Sequence, residues 1–355
     1  MFHRPTRRVR ARAAVAGAVA VAAAVAAAPA SAAVPVKLAP AGGTTLKLDA
    51  GAAKALKSLG VSVAPTGRAK AGAAGITFPI TAGRIDPASA VGYIKHAGGL
   101  RLRAGKVRVT LSDYNVVIGK RTTLSAKVNG GGRAQLLVPV VGAAKITRPG
   151  LGTTVSNVAL HLSAAGAGAL NKIFHVTAFK PKLKLGTLTI KAQPAEVAFA
   201  GGQTDLALDA GAAAALDSLK IKAGIIDGAV ANPDGSLGFP ITGGLVNATS
   251  LAGSVTHSGG ISLKQNNTTV ALTEFTIDTV AKTLSAKVNG AGPVAILSLD
   301  LSAPKVTISG RAVTVASVPA KLTKAAADAL NQAFSTTAFT EGLLLGVATV
   351  RGQAA

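Results

Sequence analysis

The chain of 355 residues contains no cysteine and no tryptophan, and its aromatic side chains include only two tyrosines. The lack of cysteine excludes disulfides, thiolate catalysis and cysteine-bound metals. Proteins that bind single-stranded nucleic acid stack the bases on aromatic side chains, so nucleic acid is not the partner we expect. The stability of the fold must therefore come from packed apolar cores.

Acidic residues are also scarce, and their distribution divides the chain. Residues 33–195 carry 23 lysines and arginines against three acids, a net charge of +20, whereas residues 196–355 carry ten against eleven, a net charge of −1. So few acids argue against a hydrolase with paired carboxylates in the first part. A surface of that positive charge attracts polyanions, and the attraction weakens as the salt concentration rises.

The N-terminal residues have the pattern of a signal peptide. Five arginines and no acid precede residues 13–28, which are all alanine, valine or glycine. This run is shorter than the roughly 20 residues of a transmembrane helix, and small residues follow it. We therefore predict a signal peptide over residues 1–32, export by the general or the twin-arginine route, and a secreted or cell-surface protein without a transmembrane segment in the mature chain.

Two copies of one unit make up the rest of the chain. Residues 123–130 recur unchanged as residues 283–290, and residues 48–53 recur unchanged as residues 208–213. The order of all such matches is the same in both copies. Because this period far exceeds the roughly 20 to 50 residues of solenoid repeats, it indicates duplication of a whole domain.

The periodicity within each copy is mainly that of β-strands. Apolar and polar residues alternate over residues 107–111, for example, and glycine pairs separate such segments as turns. Asp49 and Asp209 are good N-caps for short helices. We predict a mostly β chain with small helices, of the α+β class, in two tandem homologous β-sandwich-like domains that span residues 33–193 and 194–355.

Titratable residues that both copies share are the candidates for a common site. They form three pairs, Asp49 with Asp209, His96 with His257, and Asp113 with Glu274. The aspartates of the first pair have a structural role as helix caps, and the third pair fits a solvated strand position. The histidines remain as either ligand-binding residues or turn residues without a ligand, because the Gly-Gly that follows each one permits a close approach of the backbone.

Motifs of enzyme active sites are missing. The chain has no Gly-x-Ser-x-Gly nucleophile motif, no phosphate-binding loop and no dinucleotide-binding fingerprint. No sequence cluster of histidines and acids has the spacing of a metal site. We therefore predict a protein that is not an enzyme and has no metal site of its own.

The two His-x-Gly-Gly segments that begin at His96 and His257, the Phe-Pro-Ile-Thr run before each and the alternating strand after each resemble the HtaA-type domain of actinobacterial cell-surface haem-uptake proteins. The resemblance implies haem as the ligand, held by a tyrosine near the start of the domain that a histidine supports. This chain departs from that pattern, because residues 48–59 and 208–219 occupy the region and contain no tyrosine.

If the resemblance extends to haem, we expect the site in the first copy. Tyr93 beside His96 is then the candidate iron ligand, and Arg101 is the candidate partner of the haem propionates. His257 is the equivalent of His96 in the second copy, where Ser254 replaces Tyr93. The residues themselves require no cofactor.

Two classes of function agree with these observations. One is a secreted, cell-envelope-associated binding protein for haem or another anionic ligand. The alternative is a non-catalytic structural or adhesive envelope protein that binds anionic polymers by charge. Because most of the basic residues and both tyrosines lie in the first copy, we expect the specific function there.

Overall fold

The computed structural model describes residues 35–355, so the predicted signal peptide lies outside the described residues. Over this range the chain is mostly β with short helices, in two domains that repeat the same order of elements. The predicted class, a mostly β chain with two homologous domains, is confirmed. No helix in the range has the length and apolar character needed to cross a membrane.

In the first domain, the strands are β1 (Val36–Leu48), β2 (Ser62–Thr66), β3 (Lys70–Gly72), β4 (Gly75–Ile85), β5 (Gly92–His96), β6 (Gly99–Ala104), β7 (Val107–Ile118), β8 (Thr123–Val128), β9 (Arg133–Val140), β10 (Lys145–Thr147), β11 (Thr153–Leu162) and β12 (Lys184–Pro194), and the helices are α1 (Ala50–Ser58) and α2 (Ala164–Phe174). In the second domain, the strands are β13 (Glu196–Leu208), β14 (Lys222–Ile226), β15 (Val230–Ala231), β16 (Leu237–Asn247), β17 (Gly253–His257), β18 (Gly260–Gln265), β19 (Thr268–Asp278), β20 (Thr283–Val288), β21 (Ala291–Leu299), β22 (Lys305–Ser309), β23 (Ala312–Leu322) and β24 (Leu344–Ala354), and the helices are α3 (Ala210–Ser218) and α4 (Lys324–Phe334).

Eight strands of each domain form a sheet that closes on itself. In the first domain the pairing runs β7–β5–β4–β1–β12–β11–β9–β8 and returns to β7, and in the second it runs β19–β17–β16–β13–β24–β23–β21–β20 and returns to β19. The sequence predicted a sandwich-like core. In the structure this core lies between opposite walls of a single sheet that closes on itself. The interior of such a sheet has room for side chains or for one small ligand.

The two sheets follow one another with Ala195 as the single residue between β12 and β13. The Ala195 amide donates to the Lys37 carbonyl at 2.7 Å, and the Ala248 amide donates to the Ala195 carbonyl at 2.8 Å. Arg84 also forms an ion pair with Glu196 at 3.1 Å. Since α2 precedes β12 and α3 follows β13, the helices lie at the end of each closed sheet away from this junction. We call these two ends the helix end and the junction end of a domain.

Both predicted helix caps are present. An Asp49 carboxylate oxygen accepts hydrogen bonds from the amides of Gly51 and Ala52 at 3.0 and 3.3 Å, and Asp209 caps α3 in the same way. These bonds satisfy amides that have no partner within the helix. A short helix depends on such a cap, because so few of its amides are bonded internally.

Removal of either cap should destabilise the protein measurably. We expect Asp49→Ala and Asp209→Ala each to lower the free energy of unfolding by about 1 kcal/mol in urea denaturation. Asp217→Ala is the matched control, because Asp217 is exposed in the last turn of α3 and caps nothing. Equal losses in Asp217→Ala and Asp209→Ala would show that the effect comes from charge and not from the cap.

Candidate functional site

The interiors of the two closed sheets differ in how completely they are filled. The first holds a void of about 30 Å³, whereas the second holds a cavity of about 640 Å³. Pockets for small molecules usually have volumes of roughly 300 to 1,000 Å³. The second domain therefore has room for a ligand, whereas the specific function of the first copy stays a prediction.

Large side chains of the first interior are replaced by alanine in the second. Leu160 and Leu188 of the first domain are 2% and 4% exposed, and the equivalent residues of the second are Ala320 and Ala348. The strand registers confirm this equivalence, since Leu160 pairs with Gly186 and Ala320 pairs with Gly346. Each replacement puts a methyl group where the first domain has an isobutyl side chain, which leaves more empty space in the interior.

A helix contributes a third replacement of this kind. Ile173 of α2 packs against the first core, and its equivalent on α4 is Ala333, which lines the second cavity. A neighbouring wall residue is also less tightly packed in the second domain. Leu46 is buried in the first domain at 3% exposure, but its equivalent, Leu206, is only partly buried in the second. The same backbone thus surrounds a filled interior in one domain and an open interior in the other.

The wall of the second cavity is almost entirely apolar. It runs from Leu216 and Ala329 at the helix end to Leu251 and Leu301 at the junction end. Its polar side chains are Thr204, Ser250, His257, Thr279, Lys282 and Asn289. None of the residues that line it is an aspartate, glutamate, tyrosine or cysteine. Such a wall binds through burial of apolar ligand surface rather than through charge.

Three of the six polar lining residues lie at one end of this cavity. Ser250, Thr279 and Lys282 belong to the turns at the junction end, and Lys282 is exposed to solvent. The Thr279 hydroxyl already bonds to the carbonyls of Leu251 and Gly253 at 2.8 and 3.0 Å. The junction end is therefore the more polar end of the cavity.

His96 and His257 point into the interiors of their sheets, where each is 5% exposed. Nε2 of His257 lies 2.7 Å from the Thr204 hydroxyl, and Nδ1 lies 3.1 Å from the Phe275 carbonyl. His96 has the same contacts, with Thr44 at 2.7 Å and the Tyr114 carbonyl at 3.4 Å. Because a carbonyl can only accept, Nδ1 carries the proton, and Nε2 accepts from the threonine hydroxyl.

Burial holds both histidines in the neutral form. Desolvation lowers the pKa of His96 and of His257 to about 4, although the hydrogen bond to a backbone carbonyl favours the protonated ring slightly. A metal-binding histidine typically donates one ring N–H to a carbonyl and offers the other nitrogen to the metal. Here the second nitrogen already accepts a hydrogen bond from the threonine hydroxyl. Each ring therefore links neighbouring strands and is not free to bind a metal.

The predicted iron site requires Tyr93 and His96 to lie together, but the structure places them apart. Successive side chains of a strand point to opposite faces, so positions 93 and 96 of β5 lie on different sides of the sheet. Tyr93 is 41% exposed on the outer face, where the Lys95 ammonium lies 5.8 Å from the centre of its ring. Arg101 is also exposed on the outer face, on β6. Of the four predicted residues, only the two histidines reach an interior.

Tyr114 is the interior residue that sequence reasoning missed. Its ring packs edge-on against Phe78 with ring centres 5.0 Å apart, and it lines the small void beside His96. Burial raises the pKa of its phenol. The hydroxyl makes no hydrogen bond of normal geometry among the described residues, although the Leu100 backbone lies near it. The second domain has Phe275 at this position, so only the first interior contains a phenol.

Comparison with known proteins gives matches among solved structures alone. No protein-family model matches the chain, and no curated protein matches it. The chain is similar to the C-terminal domain of HtaA from Corynebacterium glutamicum, with 16% identity, coverage of 45% of this chain and 98% of that one, and a TM-score of 0.34. It is similar to haem-binding protein HtaB of the same organism, with 12% identity, coverage of 45% and 96%, and a TM-score of 0.29.

A third similar structure is a domain-swapped dimer of a histidine-to-alanine variant of the same HtaA domain. It has 15% identity, covers 41% of this chain and 91% of that one, and gives a TM-score of 0.31. The HtaA-type resemblance that the sequence motifs indicate is confirmed as a partial one. Each match spans less than half of this chain.

Proposed function

We propose that this chain is a non-catalytic binding protein of the cell envelope whose second domain encloses one apolar small molecule. The cavity of about 640 Å³ inside the second closed sheet is the observation that carries the proposal. The predicted signal peptide supports the location in the envelope. A purely structural or adhesive role would not need an open interior, whereas the first domain shows that the same fold can fill it.

The chemistry of the wall defines the class of ligand. Its side chains are predominantly leucine, valine, isoleucine, phenylalanine and alanine, and no acid is among them. Burial of apolar surface is worth roughly 25 cal/mol per Å², so a ligand with a long hydrocarbon part gains most from this wall. The more polar junction end suits a small polar head group on that ligand. Acyl chains, polyprenyl chains and flat apolar macrocycles belong to this class.

Haem meets the size and the apolar character of this cavity but finds no free iron ligand among the residues that line it. The one imidazole, His257, uses Nε2 for the Thr204 hydroxyl. In the first domain, His96 and Tyr114 share an interior, but its void of about 30 Å³ admits no macrocycle. Haem would therefore bind in this cavity only through its apolar surface, without a bond from these residues to the iron.

A titration with a neutral fluorescent probe tests the proposal. The chain from residue 33 onward, mixed with N-phenyl-1-naphthylamine, is expected to bind one probe molecule per chain, with a blue-shifted emission that survives high salt. Long-chain lipids should displace the probe. Haem in the same assay should displace it too, and the haem spectrum should not change in Tyr93→Phe. Binding that does not saturate, or that disappears at high salt, would contradict an enclosed site.

A further inference from the structure

Seven exposed lysines lie at the helix end of the first domain. They come from the last residues of β1, from helices α1 and α2, and from the segment that leads into β12, and they are Lys47, Lys54, Lys57, Lys172, Lys180, Lys182 and Lys184. We call this set the basic end. The acid among the described residues that contacts it is Asp49, whose carboxylate lies 4.0 Å from Lys184 while it caps α1. The basic end therefore carries a large excess of positive charge.

Register and hydrogen bonds place these lysines on one surface. Lys47 pairs with Thr187 near the start of β12, and the Asp49 amide at the start of α1 donates to the Leu185 carbonyl at 3.0 Å. The end of β11, which leads into α2, pairs with Lys184 through His161. Both helices and the loop between α2 and β12 thus close the same end of the sheet.

The second domain has the same surface but none of these seven lysines. At the equivalent positions it carries Ala207, Ala214, Asp217, Gln332, Thr340, Gly342 and Leu344. Backbone, caps and helices are the same in the two domains, so none of the seven lysines is needed for folding of this end. Lys182 even has a positive φ of 65°, a conformation that the second domain fills with Gly342. The charge therefore points to a function of the surface.

We propose that the basic end docks the protein on an anionic lipid bilayer. Clusters of four to eight basic residues bind anionic headgroups, and the lysine ammonium is a compact charge that suits phosphate without a fixed orientation. The lysines come from separate elements across an end and do not line either cavity. That arrangement fits a plane of headgroups better than a single polymer chain, which a groove would hold. The bilayer is also a source of the apolar molecules that the second domain can enclose.

The residues between the lysines agree with a planar contact. The outward faces of α1 and α2 present Ala53, Ala165 and Gly168 beside their lysines. Small residues there let the helices approach the headgroups, while the long lysine stems extend the charges toward them. The β6–β7 hairpin, with exposed Arg103, borders the same end and adds positive charge.

Vesicle binding by matched variants tests the proposal. Residues 33–355 form one compact unit, so the chain from residue 33 onward is suitable. The basic-end variant combines Lys47→Ala, Lys54→Ala, Lys180→Thr and Lys182→Gly, each taken from the second domain. The control variant removes the same charge elsewhere on the first domain and combines Lys95→Thr, Lys120→Gln, Arg121→Ala and Arg148→Gln. Both are sedimented with vesicles of phosphatidylcholine, with and without phosphatidylglycerol.

The unsubstituted chain is expected to sediment only with vesicles that contain phosphatidylglycerol. The basic-end variant should bind them about tenfold or more weakly, and the control variant should stay close to the unsubstituted chain. Equal losses in both variants would overturn the proposal, because net charge alone would then explain binding. Retention on polyphosphate beads without vesicle binding would overturn it in favour of an anionic polymer. Circular dichroism of each variant checks that it folds, and the probe titration above reports separately on the cavity.

Discussion

Replacement of Ala320 and Ala348 together by leucine is expected to abolish ligand binding in the second domain. The first domain shows that this backbone accepts leucine at both positions, since Leu160 and Leu188 are buried there. The two new side chains would occupy the middle of the cavity between adjacent strands, where β23 pairs with β24. We expect binding of the neutral probe to fall by at least about a hundredfold, while the free energy of unfolding rises by roughly 0.5 to 2 kcal/mol.

The combination of lost binding and gained stability distinguishes a filled cavity from a damaged fold. Ala214→Leu is the matched control, because Ala214 is exposed on α3 and does not line the cavity. The reciprocal change in the first domain, Leu188→Ala, should cost roughly 2 to 5 kcal/mol, as truncations of buried leucine do. If Ala320→Leu with Ala348→Leu left probe binding unchanged in a folded protein, the ligand site would lie elsewhere.

Acid should destabilise both domains between about pH 6.5 and pH 4. Burial lowers the pKa of His96 and His257 from 6.5 to about 4 in the folded protein. The unfolded chain therefore binds more protons in this interval, and the free energy of unfolding falls as the pH falls through it. The contribution is fully present above pH 6.5 and is lost by about pH 4. A shift of this size corresponds to roughly 3 kcal/mol for each histidine.

Urea denaturation at several pH values between 4 and 7.5 measures this loss. His96→Gln and His257→Gln should each remove part of the pH dependence, although they also weaken the contacts with Thr44 and Thr204 at neutral pH. His175→Gln is the control, because His175 is exposed at the end of α2. An unchanged pH dependence in the His96→Gln and His257→Gln double variant would show that other groups govern the acid transition.

Local features of the fold could be predicted from the sequence because they depend on neighbouring residues. Asp49 and Asp209 reveal their helices through capping chemistry, which involves amides only two and three residues away. The alternation along residues 107–111 reveals a strand for the same reason. Duplication was visible because the two copies retain such local signals at constant spacing.

The candidate site could be predicted only in part. His96 and His257 were identified, and the structure places both in interiors. The separation of Tyr93 from His96 follows from strand periodicity, which places residues three apart on opposite faces. Tyr114 was missed, since nothing in its sequence neighbourhood shows that it lies beside His96 in the interior. Its contact with His96 depends on pairing between β5 and β7.

The sequence by itself determined that two copies of one mostly β domain follow one another and that, of the two, the first carries nearly all of the net positive charge. Only the tertiary structure decided what this division means. Ala320, Ala333 and Ala348 come from separate elements, and they face one space because β24 pairs with β23 and α4 covers the end of the sheet. The seven lysines likewise meet at one end through long-range pairing. Local patterns specify elements, whereas a cavity and a charged surface depend on residues far apart in the chain.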